Sequence, residues 1–83
     1  MNVEHLVHMA NQIGQFYESL PDHAESVSST ASHLRRFWEP RMRAAMYTHV
    51  DQAGGAGLSP LLLEVLRDKR TDLEPKAKAA VPR

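Results

Sequence analysis

Glu4, His5 and His8 place a carboxylate and two imidazoles within one helical turn of each other. These are residue types that hold a divalent metal or move a proton. Their order is Glu-His-x-x-His, not the His-Glu-x-x-His of zinc proteases, and no third strong ligand is evident nearby. Surface or half-buried histidines are the simpler reading. His23, His33 and His49 stand alone and do not read as catalytic bases. No serine sits in Gly-x-Ser-x-Gly. The run AGGAGLSP is glycine-rich, but no strand precedes it and no Gly-Lys-Ser/Thr follows, so a helix stop, a turn and a capped helix start describe it better than a phosphate loop. Nothing brings together a nucleophile, a base and oxyanion donors, and the chain is not expected to be an enzyme by itself.

The stretch with the most chemistry is HLRRFWEPRMR, His33 to Arg43, which gathers four arginines, Phe37, Pro40 and the chain's one tryptophan. Three readings fit it: a core corner with solvated charges, a docking surface for another protein, or a nucleic-acid patch. Arg35 and Arg36 near a helix C-terminus are favoured by about 0.3–1 kcal/mol and need no partner. Arg41 and Arg43 fall in the first turn of a new helix, where the dipole disfavours them by a similar amount. Tryptophan and arginine are the residues that binding hot spots select, and a guanidinium pairs bidentately with carboxylates. A nucleic-acid surface uses the same types. The acidic first third and the zero net charge argue against it, because non-specific nucleic-acid binding rests on a broad excess of positive charge.

Helices must position these residues. Val3, Leu6, Val7, Ala10, Ile13, Tyr17 and Leu20 recur at three and four and predict an amphipathic helix over about 2–19, with Asn2 as a cap. Gly14 lies inside it, where glycine costs about 1 kcal/mol relative to alanine. An imperfect surface position is the first reading, a close helix crossing the second. Pro21 breaks this helix. A second, over about 22–38, carries Ala24, Val27, Ala31, Leu34 and Trp38 on one face, with Phe37 beside them. Its SVSSTAS run forms helix poorly, because hydroxyls compete for backbone groups. Pro40 pushes Glu39 out of the helical region and starts a third helix over about 40–52, with Met42, Met46, His49 and Val50 on one face. Gly54–Gly57 end it. Ser59 and Pro60 open a fourth, whose Leu62, Val65 and Leu66 face inward while Leu61 and Leu63 have no evident place. No strand pattern competes. The expectation is an all-α domain of three to four helices over residues 1–67, followed by a disordered charged tail over 68–83.

The chain has 83 residues and no cysteine. One small domain follows, without disulfides, cysteine-ligated zinc or iron–sulfur clusters. A chain this short buries only about 60% of the surface its unfolded form exposes, so its own core is marginal. Residues 1–34 carry four acids and no Lys or Arg, whereas residues 35–43 carry four Arg and only Glu39. Such asymmetry speaks to partners. No stretch approaches the ~20 apolar residues of a membrane span, and the N-terminus does not read as a secretory signal. The expected location is the cytoplasm.

HLRRFWEPRMR resembles the signature of the delta subunit of bacterial NAD-dependent, molybdenum-containing formate dehydrogenase. MANQIGQFYESLPD (Met9 to Asp22) and GGAGLSPLLLEVL (Gly54 to Leu66) resemble the same family in the same order, so the likeness covers roughly residues 1–66. It implies a cytoplasmic accessory subunit, concerned with assembly, cofactor maturation or stability, that binds no cofactor of its own. Bis-molybdopterin guanine dinucleotide, iron–sulfur clusters, FMN and NAD would belong to the other subunits. The matching residues Arg35, Arg36, Phe37, Trp38, Glu39, Pro40, Arg41, Met42 and Arg43 would then dock on the alpha subunit. One of the two aromatics would sit in the core and one in the partner, and the arginines would meet acidic side chains or, more weakly, cofactor phosphates. The alternative is a small helical regulator or nucleic-acid-binding adaptor that uses the same 35–43 segment.

Overall fold

Asn2 opens the first helix as its spacing predicts. Its side-chain oxygen accepts from the backbone N–H groups of Glu4 (2.8 Å) and His5 (3.3 Å). The computed structural model describes residues 2–75, all helix, turn and loop, with no strand among them. Helix α1 runs Val3–Tyr17, α2 His23–Phe37, α3 Pro40–Ala53, α4 Pro60–Asp68 and the single turn α5 Arg70–Leu73. Helix α2 lies against α1, α4 and α5, and α1 also packs on α3 and α4.

Each boundary has a local cause. Asp22 caps α2 by accepting from Ala24 N–H at 3.1 Å. At the α1–α2 corner the buried Ser26 hydroxyl donates to the Tyr17 carbonyl at 2.8 Å, beside the Leu20 N–H at 3.1 Å, so this carbonyl at the end of α1 has two donors. Pro40 occupies the first turn of α3, and Gly54 ends it in the left-handed region at φ 66°. Ser59 caps α4 by accepting from Leu62 N–H at 3.2 Å. The Asn11 side chain pins the loop before α4 onto α1, donating to Gly57 O and accepting from Ser59 N–H, both at 2.9 Å.

The core follows the expected stripes in the main. Leu6 and Ala10 of α1, Val27, Ala31 and Leu34 of α2, and Leu62, Val65 and Leu66 of α4 are buried. Ala24, expected on the buried stripe, is exposed at the first turn of α2. Leu61, expected to lack a place, is buried, and Leu63 is exposed. Leu61 finds room because Gly14 is buried at a helix crossing and is not a surface position. A Cβ added there would fall on the Leu62 Cδ2 methyl and meet Leu61 Cδ2 at 3.5 Å. Leu62 is fully buried and has nowhere to turn. Gly14→Ala should therefore destabilise the fold. Overpacking costs about 1–3 kcal/mol, against a propensity gain of about 1 kcal/mol. Urea unfolding followed by circular dichroism checks it, and a raised midpoint would contradict it.

The sequence pattern ends the domain at residue 67, but the fold continues. Helix α5 closes over the core and buries Leu73 to 1% exposure. Arg70 anchors it to α3 through a bidentate pair with Asp51 (3.0 and 2.8 Å), bonds Glu74, and lies 4.7 Å from the Tyr47 ring centroid. The remainder of the expected tail, residues 76–83, lies outside the described residues.

Candidate functional site

The motif His33–Arg43 straddles the α2–α3 corner, and the corner sorts its side chains. Helix α2 ends at Phe37. Trp38 leaves it in an extended conformation (φ −87°, ψ 133°), and Glu39 stays extended at ψ 153° as Pro40 requires. Trp38 therefore turns inward and is buried to 5% exposure, whereas Phe37 points out and is 67% exposed. Arg35, Arg36, Glu39, Pro40 and Arg41 are exposed and Met42 is half-buried.

Arg43 is the exception among the four arginines. It is 8% exposed and turned into the protein. Its Nε donates to Trp38 O at 3.3 Å and its Nη1 to Leu73 O at 2.7 Å. These carbonyls stand at the ends of α2 and α5, where helix geometry supplies no donor. One guanidinium thus ties three elements together. Burial, and then the charge of Arg35, lowers its pKa from the ordinary guanidinium value. One turn on, the Tyr47 hydroxyl donates to Leu66 O at 2.8 Å, and burial pushes its pKa well up. Spacing alone does not find these two. The apolar pattern of the third helix favours Met42, Met46 and Val50, and an arginine in a first turn reads as solvated.

The outward half of the motif borders a groove of about 560 Å³. Met9, Gln12, Ile13, Phe16 and Tyr17 of α1 form one wall, and His33, Phe37, Trp38 and Met42 form the other. Its rims are aromatic: Phe16 is 72% exposed and meets the Tyr17 ring edge-on at 5.0 Å, while His33 lies 4.8 Å from the Phe37 ring. The Arg36 guanidinium sits 5.8 Å from the Phe37 ring centroid. Arg41 stands across the corner, 3.8 Å from Glu39, with both side chains well exposed. A contiguous exposed apolar patch, unlike single scattered apolar residues, marks an interaction surface. Phe16 is the member that sequence reasoning missed, because it lies off the apolar stripe of α1. Two stretches apart in sequence, Met9–Asp22 and His33–Arg43, meet here.

Arg35 belongs to a different face. It borders a second cleft with Pro40, Arg43, Thr71, Asp72 and Glu74, where acidic side chains stand opposite it. The exposed arginines therefore do not line up as one basic stripe, which is the arrangement a phosphate backbone needs. Elsewhere, His5 and His8 are exposed on α1, and His23 pairs with Glu64 at 2.8 Å on the surface. His49 contacts Ala56 O at 2.8 Å. Among the described residues no three His, Asp or Glu side chains gather as metal ligands, and no helix is long and apolar enough to cross a membrane.

A family model described as NADH-dependent formate dehydrogenase delta subunit FdsD matches residues 5–66. No curated protein and no solved structure matches the chain.

Proposed function

Since the chain belongs to the family of NADH-dependent formate dehydrogenase delta subunits, we propose that it is a non-catalytic accessory subunit that docks on the molybdenum-containing alpha subunit in the cytoplasm. In that place it supports assembly, cofactor maturation or stability of the complex. The carrying observation is the division of the motif at the α2–α3 corner. Trp38 and Arg43 are turned into the fold, while Phe37 lines an apolar groove with Arg36 beside it, and Arg41 is left exposed across the corner. A protein that needed the whole motif for its own core would not expose Phe37 at 67%. Bis-molybdopterin guanine dinucleotide, iron–sulfur clusters, FMN and NAD belong to the other subunits in this reading, and the absence of any cysteine accords with a chain that carries no cluster.

Exchange of both Arg36 and Arg41 for glutamate tests the docking surface. Surface substitutions of this kind move stability by no more than about 0.5 kcal/mol. Loss of interfacial charge pairs, with like charge in their place, costs several kcal/mol of binding. Affinity purification of the tagged double variant should recover less alpha subunit by a factor of about ten or more, with an unchanged melting curve. Undiminished co-purification would overturn the assignment of the surface.

A further inference from the structure

We infer that the groove between α1 and the α2–α3 corner takes an amphipathic helix of a partner protein, one that presents large apolar side chains and carries acidic residues beside them. The inference rests on the docking reading and deepens it by stating what the docked element is. Four observations carry it.

The first is the lining. Seven of the nine lining residues are apolar or aromatic, with Gln12 and His33 the exceptions, and none is a carboxylate. A groove of about 560 Å³ holds a few large apolar side chains. The second is the backbone. Both walls are built from helices, apart from the short extended link Trp38–Glu39, so their N–H and C=O groups are almost all engaged within α1, α2 and α3. Among the described residues no sheet edge is present to pair with an extended peptide. An occupant that buries itself here must satisfy its own backbone groups, and a helix does that.

The third observation is charge. Among the described residues Arg36 stands at the Phe37 rim with no ion pair, and Arg41 lies 3.8 Å from Glu39 with both side chains well exposed. The Arg36 charge at the rim, with no carboxylate in the lining, is complementary to acidic groups beside the occupant's apolar face. The fourth is the position of Phe16. It lies outside the arginine-rich motif, is the most exposed large apolar side chain described, and forms the opposite lip from Phe37. Two aromatic lips facing across an apolar floor form the kind of seat that hot-spot anchors fill.

The test places a photo-cross-linker at the lip that the motif does not include. The full chain with p-benzoylphenylalanine at position 16 is expressed in its native cell and irradiated, and the cross-linked peptide is identified by mass spectrometry. Alongside it, tagged Phe16→Ser protein is used to recover the same partner. At 72% exposure this change should leave the melting curve in place. The expected adduct lies in a segment of another protein with apolar residues at three- and four-residue spacing and acids flanking them. Phe16→Ser should weaken capture of that protein by on the order of 30-fold.

An adduct on residues 76–83 of the same chain, on a second copy, or on an extended proline-rich segment overturns the inference. So does undiminished capture by Phe16→Ser, or the absence of any adduct. The two levels separate cleanly. If the alpha subunit co-purifies but the adduct is of the wrong kind, docking stands and the helix-in-groove inference falls. If the adduct is a helix of that kind from a protein outside the formate dehydrogenase complex, the groove stands and its assignment to that enzyme falls.

Discussion

Arg43→Met should cost the isolated subunit about 2–4 kcal/mol and release α5, whereas Arg36→Met and Arg41→Met should leave its stability within about 0.5 kcal/mol. The methionine keeps most of the aliphatic stem, so the cost is not a cavity. It comes from Trp38 O and Leu73 O, which lose the donors at 3.3 and 2.7 Å. Each buried carbonyl left without a donor costs about 1–3 kcal/mol. Part of this is returned, because the guanidinium no longer has to be held out of water. Arg43→Lys should rescue little, since an ammonium is a point donor and cannot span carbonyls on two elements with a planar fork. Hydrogen exchange locates the effect. Amides of Lys69 to Glu74 should exchange faster in Arg43→Met, while those in the middle of α1 keep most of their protection. An Arg43→Met midpoint equal to that of Arg41→Met would show that the two bonds contribute nothing.

That contrast bears on what the sequence could reveal. Four helices were legible because their signals are local: apolar spacing, Asn2 and Ser59 as caps, and Pro40 and Gly54 as start and stop. The observed limits Val3–Tyr17 and His23–Phe37 fall within two residues of the expected ones. What stayed hidden depends on partners distant in sequence. A four-residue helix such as α5 has no period to detect, and Leu73 is buried in a turn that Arg43 and Arg70, distant in sequence or outside any apolar pattern, bond to the rest of the fold. Gly14 left a surface position as the first reading and a close crossing as the second, because nothing within its own helix reveals that Leu62 crosses it. The stretch His33 to Arg43 stood out from its composition, and one buried and one outward aromatic were expected of it, but not which of the two would be which. Nothing in the order Arg, Met, Arg says that Arg41 faces water and Arg43 the interior; the helical turn of α3 over the core decides it.

The two neighbouring aromatics of the motif should respond in opposite ways, and this is the sharpest separation of folding from binding that the structure offers. Trp38 is 5% exposed and shares its surroundings with Ala10, Leu34, Met46, Tyr47 and Leu62. Trp38→Ala removes an indole from a space with almost no void, and losses of about 3–5 kcal/mol are typical of such changes. A domain of this size has only about 5–10 kcal/mol to lose, so the variant should be largely or partly unfolded alone at 37 °C. Phe37→Ala should melt like the parent, since its ring already stands in water, yet bind the partner more weakly by about 2 kcal/mol or more. A further consequence distinguishes the mechanisms. A partner that binds only the folded form stabilises it by mass action, by about 2.7 kcal/mol when present at a hundred times its Kd. Co-expression with the alpha subunit should therefore recover soluble Trp38→Ala protein in complex, whereas no excess of chaperone-assisted folding would restore Phe37→Ala to the complex. Thermal melts of the isolated variants, set beside their yields in complex, read both arms. If Phe37→Ala lost stability and Trp38→Ala lost only binding, the inward and outward assignments at the corner would be exchanged. The termination of α2 at Phe37, which the extended backbone at Trp38 and Glu39 enforces, would then not be what sorts them.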